Sequence, residues 1–118
     1  MKVLLIEDNE QLQNLFASMS KKLGVDLLQA RTIREADLLF LEHKDTIDII
    51  YIDGCVPGDK FNTKKLAEHI RKSFCGPMIA ISAVENYNIE LLRAGCNDML
   101  MQKSDLMKHM ESAQTVLQ

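Results

Sequence analysis

The chain has 118 residues, 47% of them hydrophobic, and its 17 acidic and 14 basic side chains leave a formal net charge of −3. That size and apolar content suit one domain with a core on two sides, so a single domain over residues 1–118 is expected. The basic residues are interspersed with acidic ones and form no stripe, which argues against direct nucleic-acid binding. The first ten residues hold too short an apolar run for a signal peptide or a membrane span, which points to the cytoplasm.

The first apolar run, Lys2 to Ile6, ends at Glu7 and Asp8. A helix is expected after Asn9, with Leu12, Leu15, Phe16, Met19 and Leu23 on one face and Gly24 as its stop. A strand over Val25 to Gln29 follows. Thr32 and Glu35 have capping-box spacing and open a second helix, whose apolar face continues through Ala36, Leu39 and Phe40 to about His43. The run Ile47 to Ile52 ends at Asp53. Asn62 or Thr63 caps a third helix carrying Leu66, Ile70 and Phe74, stopped by Gly76 and Pro77. Met78 to Ile81 run into Ser82, and a short fourth helix with Ile89, Leu91 and Leu92 ends at Gly95. Met99 to Met101 run into Gln102 and Lys103. The last helix starts at about Asp105 and aligns Leu106, Met110, Ala113 and Leu117.

Near-continuous apolar runs are the pattern of strands buried on both faces. Alternating with helices through right-handed crossovers, they predict an α/β, doubly wound, five-stranded parallel sheet with helices on both faces. In such sheets ligands bind beyond the carboxyl ends of the strands, so Glu7, Asp8, Asp53, Ser82, Gln102 and Lys103 are expected at one rim. Three carboxylates together disfavour one another's ionisation and call for a cation. All-oxygen ligands suit Mg²⁺ or Mn²⁺, and a metal-bound carboxylate beside a hydroxyl and an ammonium suits phosphoryl acceptance.

Cys55, Cys75 and Cys96 are odd in number and widely spaced, with neither zinc-site nor CxxC spacing. No disulfide framework is expected, and Cys75 and Cys96 are read as small buried hydrophobes in a reducing compartment.

Glu7-Asp8 after the first strand, Asp53 with Pro57 four positions later, Ser82-Ala83 after the fourth strand and Lys103 after the fifth resemble, as a set, the receiver domain of two-component response regulators. The resemblance covers essentially the whole chain and is to a chemotaxis-regulator-like receiver. It implies the flavodoxin-like receiver fold with strand order 2-1-3-4-5. It implies that Asp53 accepts a phosphoryl group from a histidine kinase or histidine phosphotransfer protein. Asp8 would bind Mg²⁺ directly, Glu7 through water, and the Cys55 carbonyl would complete the protein ligands. Ser82 would hydrogen-bond the phosphoryl group and Lys103 would pair with it. The face made by the fourth and fifth strands and helices would then switch, binding a downstream protein or a second copy of the chain.

The chain departs from the family pattern in several places. Gly58-Asp59-Lys60-Phe61 replaces the usual turn after the proline, and the stretch to the third helix is about two residues longer than usual. Met99 or Leu100 stands where a switch aromatic is expected. Ser104 replaces the proline that follows the lysine and with it the expected cis peptide. An ungapped match puts Gln102 at the lysine position, whereas the charge balance favours Lys103, since only an ammonium offsets three carboxylates and a phosphoryl dianion. Met99, Met101, Met107 and Met110 cluster within twelve residues, and Met107, off the stripe of the last helix, is expected to be partly exposed on a partner-binding face.

Other classes fit less well. A flavodoxin-like cofactor binder needs a phosphate-holding loop after the first strand, and Glu7-Asp8-Asn9-Glu10 would repel an anion. An aspartate-nucleophile phosphatase would want an acid two residues after Asp53, where Cys55 stands. The competing reading is a degenerate receiver that serves as a phosphorylation-independent interaction module.

Overall fold

The computed structural model describes residues 1–58 and 60–117, with Leu117 described for its backbone alone. Asp59 in the loop after Pro57 and the expected place of the Leu117 side chain on the last helix therefore lie outside the described residues. The chain runs β1 (Lys2–Ile6), α1 (Glu10–Leu23), β2 (Asp26–Ala30), α2 (Ile33–His43), β3 (Ile49–Ile52), α3 (Lys64–Arg71), β4 (Met78–Ala80), α4 (Glu85–Ala94), β5 (Asp98–Met99), a 3₁₀ turn (Lys103–Asp105) and α5 (Leu106–Leu117). All neighbouring strands are parallel, in the order β2-β1-β3-β4-β5. The predicted sheet and strand order are both present, with strand limits moved by one or two residues.

Side chains alternate across a strand, and the two sets fill two cores. Leu4, Ile6, Ile50, Ile52, Met78 and Ala80 pack with Ala36 and Phe40 of α2, Leu66 and Ile70 of α3 and Leu91 of α4. Val3, Leu5, Ile49, Tyr51 and Ile79 pack with Phe16 of α1 and Leu106 and Met110 of α5. No helix among the described residues is long and apolar enough to cross a membrane.

Asn9 caps α1 through its side-chain oxygen, which accepts from Leu12 N at 2.9 Å, and Gly24 ends the helix at φ 71°, a left-handed conformation that a Cβ disfavours. Thr32 caps α2 by accepting from Glu35 N at 3.0 Å.

Four expectations change. The buried side of α1 runs through Gln13, Phe16 and Ser20, so Leu15 is rotated away from the sheet and is 52% exposed. The third helix stops at Arg71, well before Gly76, and the Arg71 guanidinium donates to the carbonyls of Phe74 and Gly76 in the segment that follows, at 2.6 and 2.9 Å. Phe74 takes the buried place in the following turn and leaves Cys75 in solvent; Cys96 is buried as expected, and burial pushes its thiol up to about 12. Met107 is buried, because the 3₁₀ turn ahead of α5 sets Leu106 and Met107 together against the second core. The expected exposed methionine cluster is thereby reduced, with Met101 its exposed member at 47%.

Candidate functional site

The backbone ladder extends one residue past β1 and β3. Glu7 N donates to Ala30 O and Asp53 N to Ile6 O, both at 2.9 Å. Strand alternation then turns Glu7 and Asp53 to the same side of the sheet as Leu5 and Tyr51, the side covered by α1 and α5. Lys103 precedes α5 on that side. Its ammonium hydrogen-bonds Glu7 Oε1 and lies 3.5 Å from Asp53 Oδ1. Asp8 Oδ2 accepts from Gly58 N at 3.1 Å, which ties the loop after Pro57 to the rim.

The carboxylates of Glu7, Asp8 and Asp53 each place an oxygen within 4.8 Å of the others, a group able to hold a metal ion. Glu7 is 1% and Asp53 7% exposed. Burial raises both carboxyls from their ordinary values, repulsion from Asp53 adding to this at Glu7 and repulsion from Asp8 at Asp53, while Lys103 and the backbone N–H groups of Asn9 and Gly54 oppose it. Burial pulls Lys103 down, but hydrogen bonding and attraction from Glu7 and Asp53 outweigh it and leave the ammonium held above its ordinary value. Two buried carboxylates, a third beside them and one ammonium leave the cluster short of positive charge. An all-oxygen donor set of that sign fits a hard divalent cation.

Ser82 is held differently. Its N–H donates to Asn88 Oδ1 and its carbonyl accepts from Asn88 Nδ2, both at 2.8 Å, so a buried side chain of α4 grips the peptide just past β4. The Ser82 hydroxyl accepts from Val84 N at 3.1 Å. Gly54, next to Asp53, sits so close to this element that a Cβ there would fall 2.9 Å from Tyr87 Cβ and 3.2 Å from Ser82 Oγ, which brings the Ser82 hydroxyl to the Asp53 loop. Cys55 continues that loop with its side chain buried.

The loop from Asp53 to α3 is closed on itself. Thr63 Oγ1 donates to the carbonyls of Asp53 and Gly54 at 2.8 and 3.2 Å, and the Asn62 amide bonds both the N–H and the carbonyl of Val56. Thr63 thus spends its hydroxyl on the site and makes no side-chain cap on α3. Among the described residues the cis peptide bond is at Val56–Pro57. Gln102 is exposed and accepts from the Ser104 hydroxyl at 3.5 Å, away from the carboxylates.

Three supports of the rim went unnoticed in the sequence. Gln13 is fully buried and its amide donates to the carbonyls of Glu7, Ala30 and Leu5 at 2.9, 3.2 and 3.3 Å; Asn88 grips Ser82; and Phe61 stacks on Tyr87, centroids 5.0 Å apart, beside Gly54. For Gln13 the available signal was an amide one turn before the core-facing Phe16 of an amphipathic helix. Met99 and Leu100 are half-buried and aliphatic, so this stack is the aromatic pair nearest Ser82 among the described residues.

No family model matches the sequence, and no curated protein matches it. Solved structures do. A two-component response regulator from Clostridium difficile superimposes with a TM-score of 0.81 at 16% identity, over 99% of this chain and 98% of that one. The BeF3-activated N-terminal receiver domain of Klebsiella pneumoniae RstA gives 0.78 at 19% identity over 96% and 97%. The receiver domain of the Francisella response regulator 1452 gives 0.75 at 25% identity over 99% and 98%. The chain has the receiver fold of two-component response regulators.

Proposed function

We propose that the protein is a phosphoacceptor of a two-component phosphorelay, with Asp53 as the nucleophile. The observation that carries this is the convergence of Lys103 with two buried carboxylates from β1 and β3 at a rim short of positive charge. An Asp53 carboxylate oxygen attacks the phosphorus of a phosphohistidine; the P–N bond breaks, the imidazole leaves and takes up a proton, and an acyl phosphate remains. Lys103 stays protonated throughout and faces one oxygen of the transferred group. Ser82 meets another by turning its hydroxyl from Val84 N, while Asn88 clasps the Ser82 peptide and ties it to α4.

Glu7, Asp8, Asp53 and the Cys55 carbonyl would hold Mg²⁺, with Mn²⁺ as the nearest substitute. Bound there, the ion supplies the charge that draws in the phosphoryl oxygens. The donor is a histidine kinase or a histidine phosphotransfer protein, the setting is the cytoplasm, and the face of β4, α4, β5 and α5 carries the output to a downstream protein or to a second copy. Exposed Val84 and Met101 lie on that face; Met107 no longer contributes.

The test is incubation with phosphoramidate or acetyl phosphate and Mg²⁺, read by intact mass. One phosphoryl group should be gained, lost in Asp53→Asn and impaired in Lys103→Ala, and the Mg²⁺ response should fall further in Asp8→Ala than in Glu7→Ala. No gain in the folded wild-type chain would give the phosphorylation-independent module the stronger case.

A further inference from the structure

Helix α2 packs on the sheet through Ala36 and Phe40. Its opposite side carries two leucines in water: Leu38 is 56% and Leu41 67% exposed. Each residue advances the helix by about 100°, so Arg34, Leu38 and Leu41 fall on one line, and Asp45, in the turn directly after the helix, continues it. Arg34 and Asp45 are exposed as well. Neither side chain makes a hydrogen bond or ion pair with any described residue, whereas neighbouring acids have an imidazole at hand, Asp37 that of His69 at 3.4 Å and Glu42 that of His43 at 3.9 Å.

The stripe reads cation, leucine, leucine, anion, and the midpoint between 38 and 41 is also the midpoint between 34 and 45. Turned end over end, it is therefore complementary to itself. We infer that α2 is the interface of a two-fold symmetric, antiparallel homodimer in which Arg34 of each copy meets Asp45 of the other and Leu38 meets Leu41, each contact occurring twice. Isologous contacts require this self-complementarity, which a foreign partner would have no reason to match. The groove between α2 and α3, lined in part by Ile33 and Leu66, borders the stripe and widens the apolar surface available to the second copy. The patch is small and its ion pairs are open to solvent, so the dimer is weak, with Kd in about the 10 µM to 1 mM range, and is weakened further by salt. No residue of the stripe belongs to the acidic rim, so this contact is independent of the phosphoryl chemistry and can stand or fall without it.

Sedimentation velocity and light scattering on the full chain, from about 10 µM to about 1 mM, test the proposal. The wild type should pass from monomer to dimer across that range. Leu41→Glu should raise Kd at least about tenfold by placing a charge where a leucine is buried, and Arg34→Glu should do so by setting like charges opposite each other. Combining Arg34→Glu with Asp45→Arg re-creates the pair with its signs exchanged and should return Kd to within about threefold of wild type. All of these positions are exposed, and a thermal melt by circular dichroism checks that each variant is folded. A wild type that stays monomeric throughout would overturn the proposal and leave the stripe to a different protein. So would a dimer indifferent to Leu41→Glu, or a double reversal as weak as Arg34→Glu alone.

Discussion

Each end of the sheet gathers its loops around one long cation, and the two cations keep opposite company. At the amino end, Arg71 directs its guanidinium to neutral acceptors: the carbonyls of Phe74, Gly76 and Gly95 at 2.6, 2.9 and 2.9 Å and Asn97 Oδ1 at 2.7 Å. Asn97 Oδ1 in turn accepts from Met78 N at 2.9 Å, and Gly95, at φ 128°, leaves room where a Cβ would strike Arg71. At the carboxyl end, Lys103 faces Glu7 and Asp53 with Asp8 alongside. A planar fork matched to fixed carbonyls is a structural clamp, whereas a point charge among more anions than it can neutralise leaves room for further chemistry.

The largest expected effect comes from breaking the clamp. Arg71→Ala should cost about 3 kcal/mol of unfolding free energy in urea, since several acceptors lose their donor together. Arg71→Lys should recover less than half of that. Phosphorylation of the folded fraction should be unchanged in either variant, and a fall in labelling per folded molecule would contradict the assignment.

Lys103→Met acts at the other end. It should destabilise the chain by about 2 kcal/mol near neutral pH, because two buried carboxylates lose their counter-ion, and it should slow phosphoryl acceptance at least about tenfold. Gln102→Ala, at the neighbouring exposed position, should change stability by no more than about 0.5 kcal/mol.

Asp53→Asn should do the reverse in metal-free protein and raise stability by about 1 kcal/mol, because it removes one of the crowded charges while abolishing labelling. A fall in its melting temperature would sink the claim that the cluster is strained by its own charge.

The same cluster fixes the sign of a pH effect. Glu7 and Asp53 hold their protons more tightly in the folded chain than in the unfolded one, chiefly through burial. Their contribution to folding is therefore present below the ordinary carboxylate pKa of about 4 and is lost as pH rises through their raised folded values. Metal-free stability should carry that downward component above about pH 4, and Asp53→Asn should flatten it. On the proposed function Mg²⁺ would compete with the same protons, so its apparent affinity should climb across the window, which calorimetric titration at several pH values would show.

Strand and helix periods were legible because they are local. The apolar runs, the Asn9 and Thr32 caps and the Gly24 and Gly95 stops each state their role within a few residues. Parallel strands then oblige residues such as Glu7 and Asp53, one step beyond their ends, to share a rim. Whether Gln102 or Lys103 faced Asp53 was not local. A one-residue offset in the turn after β5 reverses it, and the structure has Lys103 on the carboxylates and Gln102 outside. Rotation of a helix on the sheet was likewise decided by packing: α1 turned Gln13 in and Leu15 out, and the 3₁₀ turn carried Met107 into the core. Gln13, Asn88 and Arg71 became supports of the two sheet ends only where the fold delivered unsatisfied backbone groups from other elements to their reach. The sequence by itself determined the alternation of elements and the acids at the strand ends, since hydrophobic period and capping act over a turn or two. Helix rotation, the identity of the cation at the rim and the amide supports depend on which distant groups become neighbours, and only the tertiary structure decided those.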